Sequence, residues 1–161
     1  MKTLVLVRHA KSSWDHPGVS DHDRRLNGRG QRDAPEMGRR LAEQGFAPDR
    51  ILSSTALRAR TTAQLIAEAL GLDAADIILD ERLYAASADE VLRVIGELDG
   101  EVGTAMVVGH NPETASLAHR FSSDIHEMPT CAVAEFTFDV DAWYELEDAD
   151  PMSVRVQTPR S

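Results

Sequence analysis

The chain has 161 residues, of which 42% are hydrophobic, and its formal net charge is -10 at pH 7. This length is enough for one substantial hydrophobic core, so we predict a single domain spanning residues 1–161. The negative charge argues against a nucleic-acid partner, because such a partner requires a basic surface that neutralises its phosphates. No apolar run approaches the length of a membrane span, so no membrane partner is expected.

The amino-terminal segment and the cysteine content bear on location. The apolar run after Lys2 soon reaches Arg8 and lacks a small-residue cleavage pattern, unlike a secretory signal. Cys131 is the single cysteine, so no internal disulfide can form, which is compatible with a reducing compartment. We therefore expect a cytoplasmic protein, and a monomer, since the sequence has no coiled-coil seam.

Four apolar runs predict strands. The first, Thr3–Val7, consists of β-branched residues and leucine without polar alternation, as in strands that are covered on both faces. The other three runs are Arg50–Ser53, Ile77–Leu79 and Thr104–Val108. Helical patterns separate these runs, which indicates βα units. We expect an α/β fold, a three-layer α/β/α sandwich around a mostly parallel sheet.

The first predicted helix lies between the first two strands. It has apolar residues at helical spacing and ends at Gly45. Pro35 leaves its start open, because a proline is tolerated in the first turn but kinks a helix interior. The helix either runs from about Gly28 with a kink, or begins near Asp33.

Two further helices have clearer ends. An apolar stripe predicts a helix over Leu57–Leu70, with Gly71 as its left-handed cap. Ser87, followed three residues later by Glu90, forms a capping-box pattern before another apolar stripe that stops short of Gly100. Arg58 would then lie in the first turn of the second helix.

The remaining segments are predicted from turn residues and alternation. Cys131–Phe138 and Trp143–Leu146 are expected to be strands of an antiparallel edge, joined by a short connection. The segment Trp14–His22 contains proline and glycine and is expected to be an exposed loop near the site. Residues from Gln157 onward are expected to fray.

Two of the predicted strands end in a histidine. Arg8 and His9 follow the first strand, and His110 follows the fourth. Ligands of α/β sheets bind outside the carboxyl ends of the strands, so both histidines could meet in one pocket. Asn111 and Pro112 then give a helix-start signal, which would turn the positive end of a helix dipole, and Asn111 itself, toward a bound phosphate.

The segment around Arg8 and His9 resembles the Arg-His motif of the histidine phosphatase superfamily, and the chain is similar to its SixA-type phosphohistidine phosphatase branch. Further segments carry the resemblance: Asp23–Asn27, Ser53–Thr62, Glu81–Tyr84, Val108–Pro112 and Pro129–Cys131. The resemblance implies a phosphoglycerate-mutase-like fold, no cofactor, and phosphorylation of the histidine in the Arg-His pair. The acidic tail from Asp139 lies outside it.

Phosphoryl transfer needs a nucleophile and fixed positive charge, and four residues supply both. A neutral His9 could attack phosphorus and hold the phosphoryl group. Arg8 and Arg58 offer planar forks of donors that match phosphate oxygens. His110, either protonated or donating from one ring nitrogen, would stabilise the transferring group. The other histidines lack the partners of a metal site, so we expect metal-independent catalysis.

Two further residues have open roles. Arg24 fits the branch's Asp-Arg-x-Leu segment and could line the entrance of the site, or pair with Asp21 or Asp23 at the surface. Glu81 follows the third strand and could be a general acid for an ester leaving group, as in superfamily mutases. SixA-type members can lack this acid, because phosphohistidine departs as an imidazole, and Glu81 would then pair with Arg82.

The short chain also bears on the substrate. Superfamily mutases and sugar phosphatases usually carry extra segments over the pocket, so a shallow, open site is expected here. The leading hypothesis is a phosphatase acting on a phosphohistidine-bearing protein through a phosphoenzyme on His9. The alternatives are a phosphatase of a small phosphate ester, with Glu81 as its acid, and a phospho-ligand binding module without turnover.

Overall fold

All 161 residues are described by the computed structural model, in which six strands form one sheet in the order β3-β2-β4-β1-β5-β6. The strands are β1 (Lys2–Arg8), β2 (Arg50–Ser53), β3 (Ile78–Leu79), β4 (Thr104–Gly109), β5 (Val133–Phe138) and β6 (Ser153–Gln157). Strands β1 to β4 are parallel, and β5 and β6 add two antiparallel strands at one side. The mostly parallel sheet is confirmed.

Four helices cover the two faces of this sheet. They are α1 (Gly28–Glu43), α2 (Leu57–Ala69), α3 (Ala88–Gly96) and α4 (Glu113–Phe121). Helices α1 and α2 pack into one apolar core, and α3 and α4 into another. The predicted three-layer α/β/α arrangement is therefore confirmed. No helix combines the length and the apolar character that crossing a membrane would require.

Strand β1 contributes to both cores. Leu4 and Leu6 point into the core of α3 and α4, whereas Val5 and Val7 point into the core of α1 and α2. All four side chains are at most 1% exposed. Burial of each is worth about 1.5–3 kcal/mol, so the strand is held in register from both sides.

The structure resolves the open start of α1. The helix begins at Gly28 and continues through Pro35. The Asn27 side chain caps it by accepting a hydrogen bond from the Gly30 backbone N–H at 2.9 Å. Gly30 packs against the backbone carbonyl of Lys11 so closely that any side chain would collide with it. This contact places the start of α1 directly behind the segment that follows β1.

The predicted boundaries of α2 and α3 are largely confirmed. Gly71, just past α2, adopts a φ of +75°, the left-handed conformation expected of a glycine cap. At α3, the Ser87 hydroxyl accepts from the Glu90 N–H, and the Glu90 carboxylate accepts from the Ser87 N–H, which completes the capping box. Helix α3 ends at Gly96, before the predicted stop.

The carboxyl-terminal region differs from the prediction. The expected strand Trp143–Leu146 is wrong, because Trp143–Asp148 forms a 3-10 helix. Trp143 and Leu146, three residues apart, are each 1% exposed and point into the same core, a spacing that suits a helical turn. On the side away from β1, β5 pairs with β6, a strand that the sequence patterns do not predict.

Two further expectations need correction at this end of the chain. Strand β5 begins at Val133 rather than at Cys131, whose φ of +61° interrupts an extended path. Residues beyond Gln157 are held rather than frayed. The Arg160 guanidinium donates to both carboxylate oxygens of Asp33, at 3.0 and 2.9 Å, and so fastens this segment to α1.

Candidate active site

The pairing of β1 with β4 places the two predicted site histidines side by side. Arg8 lies opposite Gly109 in the parallel ladder, so His9 and His110 are the next residues on neighbouring strands. Their ring centroids are 5.1 Å apart. They are 7% and 6% exposed, respectively. The prediction that two strand ends meet in one pocket is confirmed.

A cavity of about 280 Å³ opens at this edge of the sheet. Its lining residues are Arg8, His9, Lys11, Ser12, Trp14, Asp21, Arg24, Arg58, His110, Asn111 and Thr130. The lining carries four arginine and lysine side chains against a single carboxylate, that of Asp21. The cavity is therefore a locally positive site on a chain whose net charge is -10.

The hydrogen bond of His9 fixes the tautomer of its ring. Nδ1 lies 2.7 Å from the backbone carbonyl oxygen of Ala10. Because a carbonyl oxygen only accepts, Nδ1 holds the proton and Nε2 keeps a free lone pair. Burial, against the raising effect of the Ala10 hydrogen bond and with the help of the positive charge of Arg58, lowers the pKa of His9 to about 3. His9 is therefore a neutral imidazole at physiological pH, the form that can act as a nucleophile.

Helix α2 positions Arg58 and also supports His9. The Arg58 side chain extends from the first turn of the helix, and its backbone carbonyl accepts a hydrogen bond from the Thr62 hydroxyl at 2.8 Å. The same hydroxyl oxygen accepts from the backbone N–H of Ala10 at 3.0 Å. One buried threonine thus connects the start of α2 to the residue that follows His9.

His110 is also neutral. Burial is the main cause that lowers its pKa to about 4, and Arg58 adds to this effect. Its Nε2 lies 2.8 Å from the Ser54 hydroxyl. When that hydroxyl donates to Nε2, the proton of Nδ1 remains free for a phosphoryl oxygen. Of the two roles predicted for His110, donation from a neutral ring fits this geometry.

Several buried polar atoms of the cavity have no partner in the protein. Across the chain, five buried side-chain nitrogen and oxygen atoms lack a hydrogen bond: Arg8 Nε, Arg24 Nη1, Arg58 Nε, His110 Nδ1 and Glu113 Oε2. Four of these atoms belong to residues that line the cavity around His9. Buried donors are nearly always paired in folded proteins. Their concentration here indicates a site for an anion with several oxygens.

Comparison with known proteins agrees with this geometry. Residues 4–91 match the family model of the histidine phosphatase superfamily, branch 1. The chain belongs to the histidine phosphatase superfamily.

Three similar proteins illustrate the relatives of this chain within the superfamily. The crystal structure of a candidate phosphohistidine phosphatase, SixA, from Agrobacterium tumefaciens is 31% identical, covers 96% of this chain and 97% of its own, and superposes with a TM-score of 0.79. An uncharacterized protein of Mycobacterium tuberculosis is 43% identical over 70% of this chain and 67% of its own length. A 2,3-bisphosphoglycerate-dependent phosphoglycerate mutase of Nitrobacter hamburgensis is 38% identical over 60% of this chain, but over only 51% of its own length. The predicted resemblance to the SixA-type branch is confirmed.

In this histidine phosphatase, Asp21 has a larger part than the sequence suggested. Its backbone carbonyl accepts from Arg58 Nη1 at 2.6 Å, and its carboxylate accepts from Arg58 Nη2 at 3.1 Å and from the Tyr84 hydroxyl at 2.6 Å. The Tyr84 hydrogen bond, followed by Arg58, lowers the pKa of Asp21 to about 2. The sequence alone indicates Asp21 only as a surface partner of Arg24, because no local pattern connects a loop aspartate with Arg58 and Tyr84, which are so distant in the chain.

Arg24 takes both of the positions predicted as alternatives. It lines the cavity, and its Nε donates to the Asp21 carboxylate at 3.3 Å. Its guanidinium carbon also lies 3.5 Å from the ring centroid of Trp14, which is 74% exposed. The loop residue Trp14 thus covers an arginine of the cavity on one side.

Asn111 lines the cavity, and its side chain bonds to the first turn of α4, although Pro112 is the residue at the N-cap and the helix begins one residue later than predicted, at Glu113. Its Oδ1 accepts from the backbone N–H of Ala115 at 3.2 Å, and its Nδ2 donates to the Met128 carbonyl at 3.0 Å. Arg8 Nη1 donates to the same Met128 carbonyl at 3.1 Å. The shared carbonyl connects the arginine of the Arg-His pair to the start of α4. Phosphate binding by Asn111 stays a prediction.

Glu81 is the predicted site residue that the structure does not bring to the others. It lies exposed in a 3-10 turn after β3 and is absent from the cavity lining. Arg82 forms ion pairs with Asp80 and Glu97, at 2.7 and 2.8 Å, rather than with Glu81. Neither role predicted for Glu81 matches this placement, because the turn after β3 directs Tyr84 toward the site instead.

Proposed function

We propose that this histidine phosphatase hydrolyses phosphohistidine on proteins through a phosphoenzyme on His9. The observation that carries the proposal is the set of four unpartnered buried donors around a neutral histidine. Membership of the superfamily and the likeness to the SixA structure support phosphatase activity. The choice of substrate rests on the chemistry of the cavity.

The first half-reaction begins when the phosphoryl oxygens accept from the free donors of Arg8, Arg58 and His110. These donors compensate the charge that spreads over the oxygens during transfer. The Nε2 lone pair of His9 then forms a bond to phosphorus while the bond to the leaving group breaks. The Ala10 carbonyl keeps the other ring nitrogen protonated, so the phosphorylated ring forms as a cation, from which His9 can later depart as a neutral imidazole.

The second half-reaction returns His9 to its starting state. A water molecule attacks phosphorus, and the electron pair of the phosphorus–nitrogen bond returns to Nε2. Because the proton on Nδ1 stays on the ring, His9 leaves as a neutral imidazole. The products are inorganic phosphate and the neutral histidine with which the cycle began.

The acid chemistry of the cavity favours phosphohistidine over an alkyl ester. An alkoxide leaving group needs a proton from the enzyme, usually from a carboxylic acid. Asp21 is the single carboxylate of the lining, and its pKa of about 2 means that it holds no proton at neutral pH. Glu81, which could have supplied one, lies outside the lining. An imidazole leaving group does not require such an acid.

The test compares phosphate release from a histidine-phosphorylated protein and from a sugar phosphate, using wild type and His9→Ala. We expect wild type to prefer the phosphoprotein, and His9→Ala to lose at least about 10⁴-fold in rate, because the nucleophile is missing. The exposed His126 provides the matched control His126→Ala, which should behave as wild type.

A phosphoenzyme measurement completes the test. Wild type quenched during turnover should carry acid-labile, base-stable phosphate, and His9→Ala should carry none. Preference for the sugar phosphate would replace the proposal with a small-ester phosphatase. Phosphate binding without release from either substrate would instead indicate a binding module.

A further inference from the structure

The cavity has two zones that differ in exposure. We define the floor as His9, Arg58 and His110, which are 6–7% exposed. We define the mouth as Trp14, which is 74% exposed, and Asp21, whose side chain is 51% exposed. The Arg24 side chain contacts both of them and is 11% exposed. The free donors of Arg58 and His110 belong to the floor, so the phosphoryl group is expected to bind there, beside His9.

The direction of the reaction determines which zone meets the leaving group. In phosphoryl transfer the nucleophile and the leaving group lie roughly in line on opposite sides of phosphorus. His9 attacks from the floor, so the leaving group departs toward the mouth. The one carboxylate of the cavity therefore lies on the side of the leaving group.

The Asp21 carboxylate can still accept a hydrogen bond there. Its Oδ2 already accepts from Tyr84 and Arg58, whereas Oδ1 accepts only from Arg24, at 3.3 Å. A carboxylate has about four acceptor positions, so one on Oδ1 remains open. The three contacts hold the group in place and keep it ionised.

We infer that Asp21 selects a nitrogen leaving group, by accepting a hydrogen bond from the ring N–H of the substrate phosphohistidine and by repelling leaving groups that develop negative charge. This inference rests on the proposed function and names a specificity-determining residue for it. A carboxylate favours a nearby protonated ring and disfavours an anion, so the same group supplies both effects.

The hydrogen bond to Asp21 matters because of the charge that the substrate ring carries before and after its bond to phosphorus breaks. A phosphohistidine whose second ring nitrogen carries a proton from water is cationic. As His9 Nε2 bonds to phosphorus, the substrate's phosphorus–nitrogen bond breaks, and its electron pair stays on the departing nitrogen. The proton beside Asp21 remains in place, so the leaving group is a neutral imidazole. Asp21 thus keeps the second ring nitrogen of the substrate protonated, as the Ala10 carbonyl does for Nδ1 of His9.

The experiment compares wild type and Asp21→Asn on two small substrates, free phosphohistidine and p-nitrophenyl phosphate. The isosteric variant removes the charge and retains an oxygen for Arg58. We expect kcat/KM to fall about 10- to 100-fold for phosphohistidine, as for loss of a charged hydrogen bond, and to stay unchanged or rise for the aryl ester. Asp23→Asn is the matched control, because the Asp23 side chain bonds to Ser20 and His22 and is not part of the lining of the cavity around His9.

The outcomes show whether Asp21 selects the leaving group or only positions Arg58. If Asp21→Asn slows both substrates by the same factor, or slows neither, the inference is overturned. Binding of inorganic phosphate, measured by calorimetry, should be unchanged or tighter in Asp21→Asn, whereas weaker binding would indicate that Asp21 only positions Arg58. If wild type itself fails on phosphohistidine, the proposed function fails first, and the two failures are thereby distinguished.

Discussion

The floor and the mouth of the cavity are built in different ways. The floor side chains come from two strand ends and the first turn of a helix, and they are almost completely buried. The mouth belongs to the segment between β1 and α1, with Trp14 largely and the Asp21 side chain half in solvent. In the proposed reaction, the nucleophile and the donors to the phosphoryl group are therefore held by strands and a helix, whereas the leaving group meets residues of a connecting segment.

The largest expected effect tests the floor. Arg58→Ala should lower kcat by about 10²- to 10³-fold, because a buried donor to the transferring group is lost. Arg58→Lys should recover only part of the rate, since lysine restores charge without the planar fork. Steady-state kinetics on phosphohistidine and p-nitrophenyl phosphate provide the measurement.

Arg58 is expected to act on the phosphoryl group and not to distinguish between leaving groups. The kcat of Arg58→Ala should fall by the same factor for phosphohistidine and for p-nitrophenyl phosphate, since the phosphoryl group is common to both substrates. A loss confined to phosphohistidine would place Arg58 with the selective mouth and break the distinction. Arg82→Ala, at an exposed arginine paired with Asp80 and Glu97, is the matched control and should leave both rates unchanged.

A smaller effect concerns stability and pH. Burial lowers the pKa of His9 to about 3 and of His110 to about 4, from 6.5. Below pH 6.5 the unfolded chain therefore takes up protons that the folded chain refuses, and stability falls as the pH drops toward 4. In urea titrations at pH 7 and pH 5, we expect this loss to be about 1 to 2 kcal/mol smaller in His110→Gln than in wild type.

This measurement has its own control. His126→Gln changes an exposed histidine and should lose stability with pH as wild type does. If His110→Gln shows the same loss as wild type, the floor is more accessible to water than its burial indicates. The floor and the mouth would then differ less in their exposure to water than the structure indicates.

The smallest effect tests the mouth. Trp14 stacks on the Arg24 guanidinium while most of its surface remains exposed, so Trp14→Ala should raise KM for a phosphoprotein about 2- to 5-fold. The kcat for p-nitrophenyl phosphate should not change. Tyr144→Ala, which removes another exposed aromatic side chain, is the control. An equal change in kcat for the aryl ester would show that Trp14 supports the floor.

The floor was predictable from the sequence, because its signals are local. An apolar run that ends in Arg8 and His9, and another that ends in His110, predict strand ends without knowledge of the rest of the chain. Strand pairing then brings these ends together as a general property of parallel sheets. The caps at Ser87 and Gly71 are predictable for the same reason, since a capping-box spacing and a glycine after an apolar stripe are also local signals.

The mouth and the carboxyl-terminal region were less predictable, for physical reasons. Asp21 acquires its position through contacts with Arg58 and Tyr84, and no periodicity reports contacts between distant loops. Trp143 and Leu146 are spaced for a helical turn, but the adjacent aromatic residues Trp143 and Tyr144 individually favour a strand. Glu81 follows the predicted strand, yet the direction of the turn after β3 could not be read from residue types.

The ladder between β1 and β4 has a consequence for insertions and deletions. Thr3 pairs with Thr104 and Arg8 with Gly109, so each histidine stands the same number of residues beyond a shared reference. Removal of one residue from either strand would displace one ring by about 3.3 Å and turn it to the opposite face of the sheet. Matched deletions in both strands would keep the rings abreast, so these two segments can change length only together.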